Sequence, residues 1–401
     1  MTSPDPTRTQ TPPALQQAAP PVMQPGWGQG WPAQLPYPQP GPATAGGFRR
    51  GFGAGAGAGL GLGAALAVGM VVSALLFGLL AGAATAAGQA DPAMRTVWGP
   101  ADAASTIRAV HVTGPILASP ADGATLAGGT YGYEVAAQID AVETGEAAGL
   151  LLVLNTPGGT IHGSKAIADA VSRYQKRTGK KVVASVQGMS ASGGMYAMAG
   201  ADEIIADHGS LVGSIGVIMG PFERYRDVKG TTGTLLTPGV QTSGGIEQEY
   251  LTMGRGKDFG NPYRDMSAEE REVMTAGLQN VYDDFVAWVA QGRDLDPELI
   301  TGTLGAHIFD PEAAIGHGLI DAELGIEEAY RRAAEVMGAD PDSTRIVAAT
   351  EPGLLEQLLG AEARVPGQAP VLAAGQVAAT SLCGRTPTAL VYHGEPAAVC
   401  G

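Results

Sequence analysis

The chain has 401 residues, enough for one large domain or two ordinary ones, and its 60 glycines and 28 prolines are unevenly spread. Its formal net charge is −15, and beyond residue 50 the remaining 21 basic and 38 acidic residues give −17. This acidic balance argues against nucleic acid or an anionic membrane surface as a partner.

The N-terminal quarter of the chain is not typical of a globular domain. Residues 1–50 are rich in Pro and Gln with almost no charge, which predicts a disordered tail. Residues 51–90 carry no charge at all, and the apolar run within them predicts a transmembrane helix over 58–86, long enough to cross roughly 30 Å of hydrocarbon. A flexible Gly/Ala linker is the alternative interpretation of this run.

Flanking charges give the expected orientation of the predicted span. Arg49 and Arg50 precede the apolar run, and Asp91 is the first charge after it. Basic residues stay on the cytoplasmic side. We therefore expect a single-pass protein of the cell membrane, with a cytoplasmic N-terminus and everything after residue 90 extracytoplasmic.

The exported part alternates strand and helix patterns. The pattern predicts a linker over residues 91–104 and one α/β domain over residues 105–345. In residues 346–401, a predicted tail, the strand and helix pattern fades. Strands are predicted over 107–112, 149–154, 181–186, 203–206 and 212–219, helices over 134–142, 164–176, 195–199 and 267–289, and a last strand–helix unit over 308–337. This order predicts βαβ units and a largely parallel sheet.

Ser192 is the candidate nucleophile. It follows the apolar run 181–186 in the small-residue turn Gly188-Met-Ser-Ala-Ser192-Gly193-Gly194, ahead of a short helix pattern. Such a turn places one hydroxyl at the end of a sheet and directs the first N–H groups of a helix at whatever that hydroxyl attacks. On its own, Ser-Gly-Gly is more often only a tight turn.

A serine nucleophile needs a base. The six histidines carry no motif that places one beside Ser192, and we interpret them as surface or core residues. A lysine can serve if its amine is neutral, because burial lowers the pKa of an ammonium group. Lys257 is the candidate, since it lies in the Gly-flanked loop 254–266 just before the capping box Ser267-x-x-Glu270; Lys165 and Lys229 compete with it.

Other polar groups complete the candidate site. Ser214 is a polar residue in an apolar strand and must find a partner if it is buried. Gly158 and Gly159 follow strand 149–154, where no side chain covers their backbone N–H groups. Together with the N–H of Gly193 or Ser192, these groups could form an oxyanion hole. No metal or cofactor is expected, because Cys383 and Cys400 have no nearby ligand set. Outside the cytosol this pair could form a disulfide.

Six motifs of the chain form a recognisable set: Asn155-Thr-Pro-Gly-Gly159, Met189-Ser-Ala-Ser-Gly-Gly194, Gly213-Ser-Ile-Gly-Val-Ile218, Gly256-Lys-Asp-x-x-Asn-Pro-x-Arg264, Gln291-Gly-Arg293 and Ile315-Gly-His-Gly-Leu-Ile-Asp321. Together they resemble the signal peptide peptidase family in its short, single-repeat bacterial form. The resemblance covers about residues 105–335. It implies a Clp/crotonase-like fold, with Ser192 as nucleophile, Lys257 as general base, Ser214 orienting the lysine and Gly159 as the main oxyanion donor.

The resemblance also implies an assembly and a substrate class. It implies a membrane-tethered homo-oligomer in which the serine and lysine of one site come from adjacent subunits. The implied activity is that of a membrane-anchored Ser–Lys serine endopeptidase that degrades cleaved signal peptides and similar apolar peptides. An extended peptide can add to an exposed strand edge, and 212–219 is the edge we expect beside Ser192.

Two segments depart from the family pattern, and three other interpretations stay open. The stretch between Val217 and Lys257 is longer than expected, and the tail after residue 346 matches nothing in the family. A stomatin-processing membrane peptidase has similar motifs, although Gly213–Ile218 and the Lys-Asp segment favour the first choice. A crotonase-type acyl-CoA hydratase would need an acidic catalytic residue and cytosolic expression. An inactive scaffold would not need the Ser192, Ser214 and Lys257 set.

Overall fold

A computed structural model describes residues 94–123, 128–233, 238–350, 365–371 and 389–394. The predicted tail 1–50, the predicted transmembrane helix 58–86 and both cysteines lie outside these residues. Within the described ranges, no helix combines the length and the apolar character that a membrane span requires.

The described strands and helices alternate along the chain. The strands are β1 Met94–Trp98, β2 Ser105–Thr113, β3 Ile116–Leu117, β4 Gly129–Tyr131, β5 Gly149–Thr156, β6 Gly158–Thr160, β7 Lys181–Ala191, β8 Glu203–Ala206, β9 Leu211–Gly213, β10 Ile308–Phe309, β11 Ala322–Glu323, β12 Thr344–Ala349, β13 Gln368–Ala369 and β14 Leu390–Tyr392. The helices are α1 Gly132–Asp140, α2 Ile161–Thr178, α3 Gly193–Met198, α4 Ala268–Arg293, α5 Pro297–Leu299, α6 Pro311–Gly316 and α7 Ile326–Val336.

The larger sheet has the order β1-β12-β2-β5-β7-β8-β11, with β9 paired to β7 and β10 to β9. All pairings from β12 to β11 along this order are parallel, as is β9 with β7, while β1 and β10 add antiparallel edges. The fold is therefore α/β with a mostly parallel sheet, as the sequence predicts.

Both faces of the larger sheet are covered. Along β5, Leu150, Leu152 and Leu154 pack into a core cluster with residues of α1, α2, α3 and α4. Leu151 and Val153 point to the opposite face and pack with α7. Side chains alternate between the faces of a strand, so an uninterrupted apolar run such as 149–154 fills two cores at once.

A smaller sheet stands at the carboxyl ends of the central strands. Its order is β13-β4-β3-β6-β14. In it, β14 from the C-terminal tail runs antiparallel to β6, the short strand that contains Gly158 and Gly159. This sheet therefore brings part of the tail to the predicted oxyanion glycines.

Several predicted boundaries differ from the structure; the strand predicted over 181–186, for example, continues to Ala191 in β7. The strand predicted over 212–219 ends at Gly213, because Ser214 has a φ of 54° and leaves the extended conformation. Part of the predicted linker 91–104 forms β1, an edge strand that is exposed except at Trp98, which packs partly buried against the core. Beyond residue 345 the larger sheet continues through β12, where Thr344, Ile346 and Ala348 are buried alternately.

Helix α4 begins with the predicted capping box, in which Ser267 accepts from the Glu270 N–H and the Glu270 side chain accepts in return. Its C-terminal half is buried through Phe285, Val286 and Val289, whereas Val273 in the N-terminal half is 58% exposed. Within the described residues, only the second half of the predicted apolar stripe has a packing partner.

The two closing motifs of the family resemblance contact each other. Arg293, at the end of α4, forms an ion pair with Asp321 at 2.7 Å. The other carboxylate oxygen of Asp321 accepts from the backbone N–H of Ile204 in β8 at 2.7 Å. These motifs therefore fasten α4 to the larger sheet, and their role here is structural.

Candidate active site

Ser192 lies at the junction of β7 and α3 with an unusual backbone. Its φ of 53° and ψ of −108° belong to a region that non-glycine residues rarely adopt. Such conformations cost about 1–3 kcal/mol and are concentrated at functional sites. The residue is fully buried, its N–H donates to the carbonyl of Gly213 at 2.8 Å, and its Oγ is 3.4 Å from the carbonyl oxygen of Gly216.

Small residues make this turn sterically feasible. A side chain at Gly193 would collide with Oγ of Ser164, and one at Gly194 would lie 2.7 Å from Oγ of Ser190. Helix α3 can therefore pack directly behind the serine, and all its residues are buried. Trp288 of α4 holds it there by donating from Nε1 to the carbonyl of Tyr196 at 2.8 Å.

The predicted oxyanion glycines lie beside the serine. A methyl group on Gly158 would come within 2.6 Å of the backbone nitrogen of Gly193, so the two loops touch. The N–H of Gly158 already donates to Oγ1 of Thr156 at 3.1 Å. Gly158 thus shapes the loop with its φ of 94°, and the N–H groups of Gly159 and Gly193 are left as the candidate donors.

Ser214 is buried next to this arrangement and also has a positive φ, of 54°. Its N–H donates to the carbonyl of His307 at 2.6 Å, and its Oγ is 3.0 Å from Nδ1 of His393. The N–H of Ser192 donates a hydrogen bond to the carbonyl of Gly213, the residue just before Ser214. The two serines therefore lie close together.

No described hydrogen bond links Lys257 to Ser192 or Ser214. Lys257 is exposed, and its side chain makes no hydrogen bond or ion pair with any residue that the structure describes. The competing lysines are also exposed, and Lys165 pairs with Asp169 at 2.8 Å. Ser192, Ser214 and the three glycines thus lie close together, and none of their hydrogen bonds within the described ranges involves a lysine.

The loop that carries Lys257 is nevertheless fixed at its base. Arg264 forms ion pairs with Asp258 at 2.7 Å and with Glu270 at 2.5 Å. Hydrogen bonding to this guanidinium lowers the pKa of the Asp258 and Glu270 carboxyls to about 2. The lysine thus projects from an anchored loop on the surface.

His393 lies in the candidate site, although the sequence pattern did not predict it there. We interpreted all histidines as surface or core residues, yet this one contacts Ser214. The two residues are 179 positions apart, so no local spacing reveals the pair. The one available signal is the short β-type run Leu390-Val391-Tyr392 in an otherwise patternless tail. Across the described ranges, no three His, Cys, Asp or Glu side chains come together as a metal site would require.

Comparison with known proteins gives matches to a peptidase family and to proteins named as proteases. The model of a family described as peptidase family S49 matches residues 174–340, a range that contains Ser192, Ser214 and Lys257. A provisionally named protease of Synechocystis is 32% identical over 218 residues, which are 54% of this chain and 73% of that protein. A provisionally named protease of Methanocaldococcus jannaschii is 37% identical over 180 residues, 45% of this chain and 53% of that protein.

A provisionally named signal peptide peptidase of Enterococcus faecium is 31% identical over 180 residues, 45% of this chain and 48% of that protein. The chain thus spans about half the length of two of these relatives and about three quarters of the Synechocystis protein. Among solved structures, a ClpP1 variant from Listeria monocytogenes is 12% identical with a TM-score of 0.35, covering 55% of this chain and 94% of that one. That score is too low to establish a common fold.

Proposed function

The chain belongs to peptidase family S49, and we propose that it is a membrane-anchored serine endopeptidase that uses Ser192 and Lys257 as a Ser–Lys dyad. The family resemblance drawn from the sequence motifs is confirmed by these matches. The observation that carries the proposal is the buried, positive-φ Ser192 between the Gly158–Gly159 loop and the N-terminus of α3.

This geometry suits acyl transfer. Ser192 Oγ attacks the peptide carbonyl while a neutral lysine amine accepts its proton. The N–H groups of Gly159 and Gly193 stabilise the negative oxygen of the tetrahedral intermediate, a contribution worth about 3–4 kcal/mol per donor. The lysine then protonates the leaving amine, and water hydrolyses the acyl-enzyme by the same route. Ser214 Oγ would orient the amine by a hydrogen bond.

A second copy of the chain is the proposed source of the lysine. Lys257 is exposed, and the segment before it presents Tyr250, Leu251 and Met253 to solvent, the last two at 95% exposure. Large apolar side chains grouped in this way typically mark an interface. In a closed ring, a heterologous contact would carry the lysine of each copy to the serine of its neighbour.

The proposed substrates are spent signal peptides and similar apolar peptides at the extracytoplasmic face. Support comes from the predicted span over 58–86, from the charge asymmetry around it, and from the name of the Enterococcus faecium relative. A peptide released into the bilayer is apolar, and it can be drawn out as an extended strand beside Gly159. Tethering the enzyme to the same membrane keeps it near such substrates.

The proposal is tested with a serine-reactive phosphonate on the detergent-solubilised full chain. The adduct should map to Ser192 by mass spectrometry, and Ser192→Ala should lower hydrolysis of a fluorogenic apolar peptide by about 10³-fold or more. Thermal unfolding of the variant provides the folding control. An adduct on another serine, or turnover retained by Ser192→Ala, would contradict the assignment.

A further inference from the structure

The groove beside Ser192 is occupied by the chain's own C-terminal segment, residues 389–394. On one side, β14 runs antiparallel to β6 with Val391 opposite Gly159. On the other side, Leu390 exchanges both backbone hydrogen bonds with Ile218, at 2.9 and 2.8 Å. The segment is therefore an inserted strand whose two edges are both paired, the geometry that an extended peptide adopts when it adds to a sheet.

The carbonyl oxygen of Val391 lies against the glycine loop that the proposal assigns to the oxyanion hole. His393 donates its N–H to the carbonyl of Pro157 at 2.7 Å. In an antiparallel ladder the hydrogen-bonded pairs alternate, so this bond and the register direct the Gly159 N–H at the Val391 carbonyl. A methyl group on Gly193 would lie 2.9 Å from that oxygen, and one on Gly158 would collide with it. The oxygen thus lies close to Gly159 and Gly193, the two proposed oxyanion donors, and to Gly158, which shapes their loop.

The same segment also blocks Ser214. Nδ1 of His393 is 3.0 Å from Ser214 Oγ, the hydroxyl that the proposed mechanism reserves for the lysine. The side chains of Leu390, Val391 and Tyr392 are all buried, and Val391 belongs to the main core cluster. The contact therefore buries apolar surface in addition to satisfying backbone groups.

We propose that residues 389–394 act as a tethered, substrate-like strand that keeps the active site closed until it is displaced. This inference rests on the proposed function, because it assigns a regulator to that same site. Its chemistry also describes the external ligand: an extended apolar peptide with a β-branched residue at the position of Val391. No covalent step is involved, since the strand blocks the groove by occupying it.

Two shortened chains form a matched pair for the test. One ends at Gly394 and keeps the strand, whereas the other ends at Thr388 and lacks it. Both lack Cys400, so a disulfide with that residue is removed equally from each. With Ser192→Ala in both, binding of a fluorescent Ala-Leu-Val-Tyr-His-Gly peptide is measured by anisotropy. The tether gives an effective concentration near millimolar, so for a free-peptide Kd of about 0.1 mM binding to the longer chain should be about tenfold weaker. Equal affinities, or no binding to the shorter chain, would overturn the inference.

Peptide hydrolysis by the same pair, with Ser192 intact, separates this inference from the proposed function. At subsaturating substrate the chain ending at Thr388 should be about tenfold faster, and equal rates would overturn the autoinhibitory role. A difference in peptide binding without hydrolysis by either chain would support the occupied groove and contradict the peptidase assignment. Leu390→Pro in the full-length chain removes the N–H that bonds to Ile218. It should raise the rate as truncation does, and an unchanged rate would count against the inference.

Discussion

Ser192 and Ser214 share an unusual backbone feature. Of the four described non-glycine residues with positive φ, these two stand side by side in the candidate site. A conformation that costs free energy persists only where the surroundings enforce it. At Ser192 the enforcing contacts are the bond to Gly213 and the close packing of α3. The strain keeps the hydroxyl at the end of β7 instead of letting it turn away.

Replacing this serine should reveal the strain as a stability difference. Both Ser192→Ala and Ser192→Gly remove the nucleophile, but only glycine adopts a positive φ without steric cost. After allowing for the greater flexibility of glycine in the unfolded chain, we expect Ser192→Gly to be more stable than Ser192→Ala by about 1 kcal/mol. Urea unfolding of the two purified variants measures this. If the alanine variant were equally or more stable, the backbone would not be strained at this position.

The residues of the site differ in how far the sequence reveals them. Ser192, Gly158 and Gly159 were predictable because turn chemistry is local: a small-residue turn after an apolar strand restricts the possible conformations. The contact between Ser214 and His393 was not predictable, because it depends on the pairing of β14, a strand of the C-terminal tail, with β6. Tertiary pairing of that kind leaves no periodic pattern in the sequence.

At the scale of elements, the loop before α4 is held in place by a network of ion pairs around Arg264. Glu270 caps the helix by accepting from the Ser267 N–H at 2.8 Å, and it also pairs with Arg264. Arg264 in turn holds Asp258, the neighbour of Lys257. One guanidinium therefore links the start of α4 to the residue beside the proposed base, which a lysine could not do in the same bidentate manner.

The pH dependence of this cluster follows from its pKa shifts. The pKa values of the Asp258 and Glu270 carboxyls fall from 3.8 and 4.5 to about 2 in the folded chain. A lowered carboxyl pKa stabilises the fold above the unfolded pKa and loses that effect as the pH falls toward the folded pKa. Arg264→Met should therefore lower the melting temperature at pH 7, and the difference from the parent chain should shrink between about pH 4.5 and 2.

Arg255→Met is the matched control for that experiment. Arg255 lies in the same loop and pairs with Glu269 at 3.1 Å, but its side chain is 87% exposed. Ion pairs that are exposed to this degree contribute little, so its melting temperature should follow the parent at every pH. A pH-independent deficit in Arg264→Met would mean that packing of the side chain, and not its charge, holds the loop.

Element boundaries show what sequence patterns encode and what they omit. The capping box located the start of α4 correctly because it involves four adjacent residues. The apolar spacing over 273–289 identified a helix, but it could not show that only the half around Phe285 packs within the chain. Strand 212–219 was predicted too long, since the apolar pattern continues through Ser214 while the backbone turns there.

At the scale of the whole molecule, the proposed dyad would leave one copy of the chain with an incomplete active site. Ser192, Ser214 and the glycines are assembled, whereas Lys257 stands on an exposed loop next to Leu251 and Met253. A buried serine without a base cannot be deprotonated efficiently. Sharing the dyad between copies would make peptide cleavage depend on assembly, so an isolated copy would be inactive.

Mixing two inactive variants tests whether the dyad is shared. Ser192→Ala and Lys257→Ala chains should each be inactive alone. If every site takes its serine from one copy and its lysine from the next, random assembly of an equal mixture leaves about a quarter of the sites intact. We therefore expect about a quarter of the parent rate after the two are unfolded and refolded together. Mixing Ser192→Ala with the double variant should restore nothing. A dyad formed within one chain predicts no recovery in either mixture, because every site would then lack one of its two groups.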